Sequence, residues 1–236
     1  MTQKTVLITG ANRGLGAALA KAAHGHAFKV IGTARKSSAL DASFIDQGYD
    51  LDLSKADSIA SFCTKIVKAG HPIDFLINNA GFNPKDRKDD PTYFQSTFKI
   101  AYFDASNVSD SIWINALAPM TLISKLLPIL ADDAVVLNIS SWLGSIGGKT
   151  AGGHYGYAGS KALLNMFTRA VALELADTGR TAVALNPGWM RTDMGGDNAE
   201  RSPDEVAKAV VDMWTDGTLM SKNGQFLNID GTEHPW

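Results

Sequence analysis

The sequence predicts an α/β fold: a doubly wound, mostly parallel sheet with helices on both faces. Three observations lead there. Short apolar runs alternate with stretches of helical length along the chain, the pattern of right-handed strand–helix–strand crossovers. The first apolar run, residues 4–9, ends in a glycine-rich loop that opens onto a run of small residues. Gly10, Asn79, Ser141 and Asn186 all fall at the ends of apolar runs, where an open parallel sheet places its binding crevice.

The bulk properties suit this fold. A chain of 236 residues with 45% hydrophobic and 19% charged residues fits one domain spanning 1–236 with a full core. A net charge of −2 gives no electrostatic case for nucleic acid or for an anionic membrane. Cys63 is the only cysteine. It excludes an internal disulfide and a thiolate metal site, so no metal is expected, and its apolar surroundings predict a buried structural thiol. The chain passes from Met1-Thr2-Gln3-Lys4 directly into a strand, which predicts no secretory leader. No apolar run approaches ~18 residues, so no membrane span is expected. A cytoplasmic setting follows as the expectation.

Residues 4–9, KTVLIT, form the first buried strand. Gly10-Ala11-Asn12-Arg13-Gly14-Leu15-Gly16 and a small-residue helix follow. Glycines let the backbone approach an anion, and a helix start offers free N–H groups and a favourable dipole, so this is read as a phosphate site of the dinucleotide-binding (Rossmann) type. The spacing is G-x-x-x-G-x-G. Residues 28–34 form the second strand. An acidic residue near its end would hold a ribose 2′-OH. Arg35 stands there instead, with Arg13 in the glycine loop. Two guanidiniums suit a 2′-phosphate, which favours NADP(H) over NAD(H); two solvated surface charges are the alternative.

A weak strand near 45–51 leads to Asp52 and Leu53. Ser54 and Asp57 then read as a helix start, and Ile59, Phe62, Cys63, Ile66 and Val67 as its buried face. Residues 73–77 form the next strand, ending in Asn78-Asn79-Ala80-Gly81. Residues 83–91, NPKDRKDDP, read as a polar surface loop. Tyr93, Phe94, Phe98, Tyr102 and Phe103 follow at loosely helical spacing and read as packing. In the next helix, Pro119 cannot donate to the carbonyl of Asn115. That freed carbonyl is a candidate holder of a water, with a simple kink as the alternative.

Residues 134–139 form the central strand, followed by Ser140-Ser141 and a glycine-rich loop. A helix then carries Tyr157-Ala158-Gly159-Ser160-Lys161, ending near Ala176 with Gly179 as its stop. Tyr157 and Lys161 are four apart and share a helix face. An ammonium beside a phenol favours the phenolate and lowers its pKa, which makes Tyr157 a candidate acid or base. A strand at 181–185 precedes Asn186-Pro187-Gly188-Trp189-Met190-Arg191-Thr192-Asp193-Met194. Ser202, Pro203 and Glu205 form a capping box. The helix they open faces Val206, Val210 and Met213 inward, and 225–229 form the last strand.

TGANRGLG at 9–16, Asp52, NNAG at 78–81, Asn115, NISS at 138–141, YAGSK at 157–161 and NPGWMRTDMGG at 186–196 together resemble the short-chain dehydrogenase/reductase family, in its single-domain branch. PGWMRTDMGG and the ending GQFLNIDGTEHPW are similar to the subgroup of C-factor signalling proteins and sniffer-type carbonyl reductases. The resemblance implies seven strands ordered 3-2-1-4-5-6-7. It implies Asn115, Ser141, Tyr157 and Lys161 as the catalytic set. Gly10, Asn12, Arg13, Gly14, Leu15 and Gly16 would hold the cofactor with Arg35, Asp52, Leu53, Asn79, Ala80, Gly81, Tyr157 and Lys161. Pro187, Gly188, Met190 and Thr192 would lie near the nicotinamide. Ser141 is preferred to Ser140, although the stretch between Ser141 and Tyr157 is longer than is common in the family. The implied reaction interconverts a hydrophobic aldehyde or ketone and its alcohol, with Phe82, Trp142, His154, Tyr155, Trp189 and Met194 as pocket candidates. A cofactor-binding signalling protein is the alternative. A homodimer or homotetramer is what the family implies.

Overall fold

The computed structural model describes residues 3–87 and 89–236. Met1 and Thr2 of the expected leaderless start, and Lys88 of the 83–91 loop, lie outside them. Seven strands form one sheet: β1 Thr5–Ile8, β2 Lys29–Ala34, β3 Gln47–Asp50, β4 Ile73–Asn78, β5 Leu130–Ile139, β6 Thr181–Asn186 and β7 Phe226–Asn228. Their order is β3-β2-β1-β4-β5-β6-β7 and every neighbouring pair is parallel. This is the order the resemblance implied. It reverses direction of growth at β1 and β4, which opens a crevice at their carboxyl ends.

Seven α-helices accompany the sheet among the described residues: α1 Gly14–Gly25, α2 Ala56–Ala69, α3 Pro91–Phe98, α4 Ala105–Ile112, α5 Ala118–Leu126, α6 Tyr155–Glu174 and α7 Pro203–Thr215. Alternation along the central strands decides which helix covers which face. Val6, Ile8, Phe75, Ile77, Val135 and Leu137 point to one side and bury Leu15 and Leu19 of α1 with Val206, Val210, Met213 and Trp214 of α7. Leu7, Leu76 and Val136 point to the other and bury Ile59, Phe62, Cys63 and Ile66 of α2, Leu122 and Leu126 of α5, Val171 of α6 and Leu175 at its C-cap. Cys63 is buried as expected, and burial pushes its thiol pKa up to about 11.

The α7 capping box is present: the Ser202 hydroxyl accepts from Glu205 N–H at 3.2 Å, and the Glu205 carboxylate accepts from Ser202 N–H at 2.7 Å. The expected cap at Ser54 is not. Lys55 precedes α2 without a side-chain cap bond. Ser54 turns back instead and donates to Asp52 at 2.6 Å, a local bond that competes with capping. The aromatic stretch after residue 92 also divides differently from its pattern. Tyr93 is buried, but Tyr102 and Phe103 lie after α3 ends and are exposed.

Pro119 sits one residue inside α5, and the turn before it, Trp113–Leu117, is a π-helix in which Ala118 N–H reaches back to the Trp113 carbonyl. The sequence led only to a freed carbonyl or a kink; one extra residue in the turn is what forms. Ala105–Ile129 is thereby a continuous helical stretch that is long and apolar enough, by length and composition, to cross a membrane. Asn107, Ser109, Asp110 and Asn115 interrupt it, so it contains no unbroken apolar run of that length. Its residues Ala118, Leu122, Ile123 and Leu126 are buried against the sheet.

After β7 the chain turns at Gly231, whose φ is +77°. It runs back along the outer side of that strand. Asn228 N–H donates to the Thr232 carbonyl at 2.9 Å and His234 N–H to the Phe226 carbonyl at 2.7 Å.

Candidate active site

The glycine loop is built as a phosphate site requires. Gly10 and Gly14 have φ of +67° and +52°, conformations that favour glycine. A Cβ at Gly16 would fall 2.0 Å from the Gly10 carbonyl oxygen, so no side chain fits there. α1 begins with no side-chain cap bond and no acidic residue in its first turn. Its leading N–H groups are therefore left for an anion. Asn79 fixes the loop from β4: its side chain donates to the Thr9 carbonyl at 2.9 Å, and its own N–H and that of Ala80 donate to the Thr9 hydroxyl at 3.0 and 3.1 Å. Gly10 packs directly on Ala80. Thr9 thus joins the two binding loops, a role that its place in the motif did not reveal.

Arg35 is exposed at the end of β2 and makes no ion pair with the described residues, whereas the Arg13 guanidinium is engaged by Asp193. Asp52 is tied up locally. Burial opposes its ionisation, but hydrogen bonds from Ser54 and the nearby Lys55 charge outweigh that and leave its pKa below the usual range. Leu53 is buried beside it, and its carbonyl accepts from the Trp113 indole at 2.9 Å. Residues 187–196 fold over the glycine loop. A Cβ at Gly14 would meet the Thr192 methyl at 3.4 Å, and Pro187, Gly188 and Met190 continue from the end of β6 toward this contact.

Asn115, Ser141, Tyr157 and Lys161 converge where β4 and β5 end. Lys161 is 4% exposed and donates to the Ile139 carbonyl at 2.7 Å. Its Nζ lies 5.7 Å from the centre of the Tyr157 ring. A Cβ on Gly81 would lie 3.5 Å from Asn115 Oδ1 and 3.7 Å from Lys161 Nζ, which puts the NNAG loop against both. The Asn115 side chain ties that loop to α6: it donates to the Phe82 carbonyl at 2.8 Å and to Ser160 at 3.0 Å, and accepts from Phe82 N–H at 2.7 Å. Ser140 donates to Asn165 at 2.6 Å and is buried away from the cleft. The Ser141 hydroxyl accepts from Leu143 N–H at 3.2 Å and lies close enough to the Tyr157 phenol to act weakly on its pKa. The lengthened stretch after it is absorbed by loop 145–153, where the Trp236 carbonyl accepts from Gly147 N–H at 2.7 Å.

The charge balance differs from the expectation. The Tyr157 pKa is not lowered but pushed up to about 12, first by burial and then by the Asp86 carboxylate, with the Ser141 hydrogen bond pulling weakly the other way. Burial acts on the Lys161 ammonium too, bringing its own pKa down to about 8. Two buried groups cannot both favour their charged forms without closer contact.

The six pocket candidates separate into two groups. His154 packs edge-on against Phe98 at 4.4 Å, Tyr155 against Phe103 at 5.9 Å, and Phe82 against Tyr93 at 6.3 Å. His154 and Tyr155 join the 93–103 segment to the start of α6, and Phe82 joins it to the loop after β4. His154 is a loop residue at the helix N-cap, with φ of +60°. Trp142 and Trp189 are 49% and 51% exposed in the segments after β5 and β6, and Met194 is half-buried in the 187–196 segment.

The model of the short chain dehydrogenase family matches residues 4–203. The C-signal of Myxococcus xanthus is 34% identical over 167 residues, covering 70% of this chain and 93% of its own. The structure of the carbonyl reductase Sniffer of D. melanogaster superposes with a TM-score of 0.84 at 29% identity over the full length of both chains. The NADPH-bound carbonyl reductase from chicken fatty liver superposes with a TM-score of 0.81 at 27% identity, again over both full lengths. The glycine loop, the tyrosine–lysine helix and the matched family model agree: this chain belongs to the short-chain dehydrogenase/reductase family of oxidoreductases.

Proposed function

We propose that the chain is an NADP(H)-dependent carbonyl reductase that converts a hydrophobic aldehyde or ketone to its alcohol, with Tyr157 as the acid and, in reverse, as the base. The observation that carries this is the Tyr157 phenol, kept protonated with a pKa of about 12, beside the Ser141 hydroxyl at the carboxyl edge of the sheet. A phenol that holds its proton at physiological pH has one to donate to a carbonyl oxygen.

The uncapped α1 start and the tight glycine loop fit a dinucleotide diphosphate. Gly10, Asn12, Gly14, Leu15 and Gly16 would surround it, with Asn79, Ala80 and Gly81 along one side and Asp52 and Leu53 by the adenine. Arg35, together with Arg13 once Asp193 releases it, would hold a 2′-phosphate. The NADPH carried by the chicken relative supports that choice. Pro187, Gly188, Met190 and Thr192 would flank the nicotinamide, and Lys161 would reach the ribose hydroxyls. The bound cofactor supplies the hydride. Tyr157 and Ser141 both donate to the carbonyl oxygen as negative charge builds there, and Tyr157 transfers its proton. The Asn115 carbonyl, denied a donor by Pro119, would hold the water that returns the proton past Lys161. The exposed indoles of Trp142 and Trp189, in the segments after β5 and β6, support an apolar substrate.

Tyr157→Phe tests the reading. A positioned acid contributes roughly 10²–10⁴-fold, so kcat for a good carbonyl substrate should fall by at least ~10² with NADPH affinity little changed. Activity within a few-fold of wild type would remove Tyr157 from the acid's role. A second reading, a cofactor-binding signalling protein, is favoured by the likeness to C-signal. A biological effect unchanged in Tyr157→Phe would favour it.

A further inference from the structure

Helix α6 places Tyr157, Lys161 and Asn165 at successive intervals of four, on one face. The first two belong to the site described above. Asn165 is 3% exposed and lies under the turn that carries Ser141. Its amide oxygen accepts from the Ser140 hydroxyl at 2.6 Å, and its amide nitrogen donates to the Gly144 carbonyl at 3.3 Å. These two partners bracket Ser141. Between them the chain makes a single tight turn: Gly144 N–H donates to the Ser141 carbonyl at 2.8 Å and Leu143 N–H to the Ser141 hydroxyl at 3.2 Å. The latter bond occupies a lone pair of the hydroxyl and leaves its proton free to be donated. The turn has no slack against α6, because a Cβ on Gly144 would fall 2.8 Å from the Lys161 backbone.

We propose that Asn165 is a positioning residue that sets the placement of the Ser141 hydroxyl relative to Tyr157. The inference rests on the reading of Ser141 as a donor to the substrate carbonyl. A single planar amide supplies both the acceptor that Ser140 needs and the donor that Gly144 needs. One helix therefore carries the acid, the lysine and the clamp for the second donor, and their relative positions are fixed by helical geometry. Misplacing a reacting group by ~1 Å can cost ~10²-fold in rate, so a clamp at this point is read directly in turnover.

The test is a double-mutant cycle on kcat, using wild type, Asn165→Ala, Asn165→Leu, Ser141→Ala and the combined Asn165→Ala/Ser141→Ala, with NADPH affinity measured in parallel. Leu keeps the volume of the site and separates loss of the two bonds from loss of packing. Asn165→Ala and Asn165→Leu should each lower kcat about 10-fold or more with NADPH affinity within about two-fold, while adding Asn165→Ala to Ser141→Ala should change kcat by less than about two-fold. If the two losses multiply, Asn165 merely supports the fold and the proposal is overturned. If Ser141→Ala alone stays within a few-fold of wild type, the reading of Ser141 fails instead, and the clamp has nothing to position.

Discussion

Replacing Lys161 by Met should make the protein more stable at neutral pH while disabling it. The ammonium is 4% exposed, and burial brings its pKa from 10.5 to about 8. That gap of about 2.5 pH units corresponds to about 3 kcal/mol of unfavourable burial of the charge, at ~1.36 kcal/mol per unit. Below pH 8 both folded and unfolded chains hold the proton, so the whole cost is present. Between pH 8 and 10.5 the folded chain releases its proton first, the unfolded chain binds more, and stability rises with pH. Methionine fills a similar volume and removes the charge. It also loses the hydrogen bond to the Ile139 carbonyl, which contributes about 1 kcal/mol. Lys161→Met should therefore be about 2 kcal/mol more stable than wild type at pH 7, a rise of roughly 4–8 °C in Tm for a chain of this size. The assay is urea unfolding of both proteins, without cofactor, at intervals from pH 7 to 10. The advantage of the variant should shrink across pH 8–10 and then reverse. A difference that stays flat within ~0.5 kcal/mol over that range would refute the argument, since the lysine would then titrate alike in both states.

Two further outcomes concern the cofactor. Asp193→Asn frees Arg13 from its ion pair and should raise NADPH affinity a few-fold over NADH, while Arg35→Ala should erase that preference; equal effects on both cofactors, read by fluorescence titration, would count against the assignment. Gly16→Ala places a methyl 2.0 Å from the Gly10 carbonyl; cofactor affinity should drop by ~10-fold or more as the loop is forced open, and an unaffected titration would show that the loop is not the diphosphate site.

The strands, the glycine loop and the tyrosine–lysine helix were legible because each rests on local pattern, whereas the strand order came from the family resemblance. Two-residue alternation separates Leu7, Leu76 and Val136 from their neighbours, and four-residue spacing joins Tyr157 to Lys161. Part of what escaped depends on contacts between distant segments, and part on local alternatives that pattern alone does not separate. The bond from Ser140 to Asn165, a residue 25 positions later, is one such contact. Tyr157 looked tuned toward ionisation because the adjacent charge is visible in sequence and the burial that overrides it is not. Ser54 looked like a helix cap because its competing partner, Asp52, is two residues before it. The π-turn before Pro119 is one extra residue in a helix, and no periodicity of 3.6 resolves it.

The returning C-terminal segment has a consequence for how the molecule behaves among its own copies. The outermost strand of an open sheet is a template for another chain, since its unpaired N–H and carbonyl groups recruit strands edge to edge. β7 spans three residues, and the segment after Gly231 occupies its outer hydrogen-bonding side through Thr232 and His234. The stacking of Phe226 on Trp236, 5.5 Å between rings, holds that segment in place. The outer side of β7 is thereby closed to direct strand addition by a piece of its own chain.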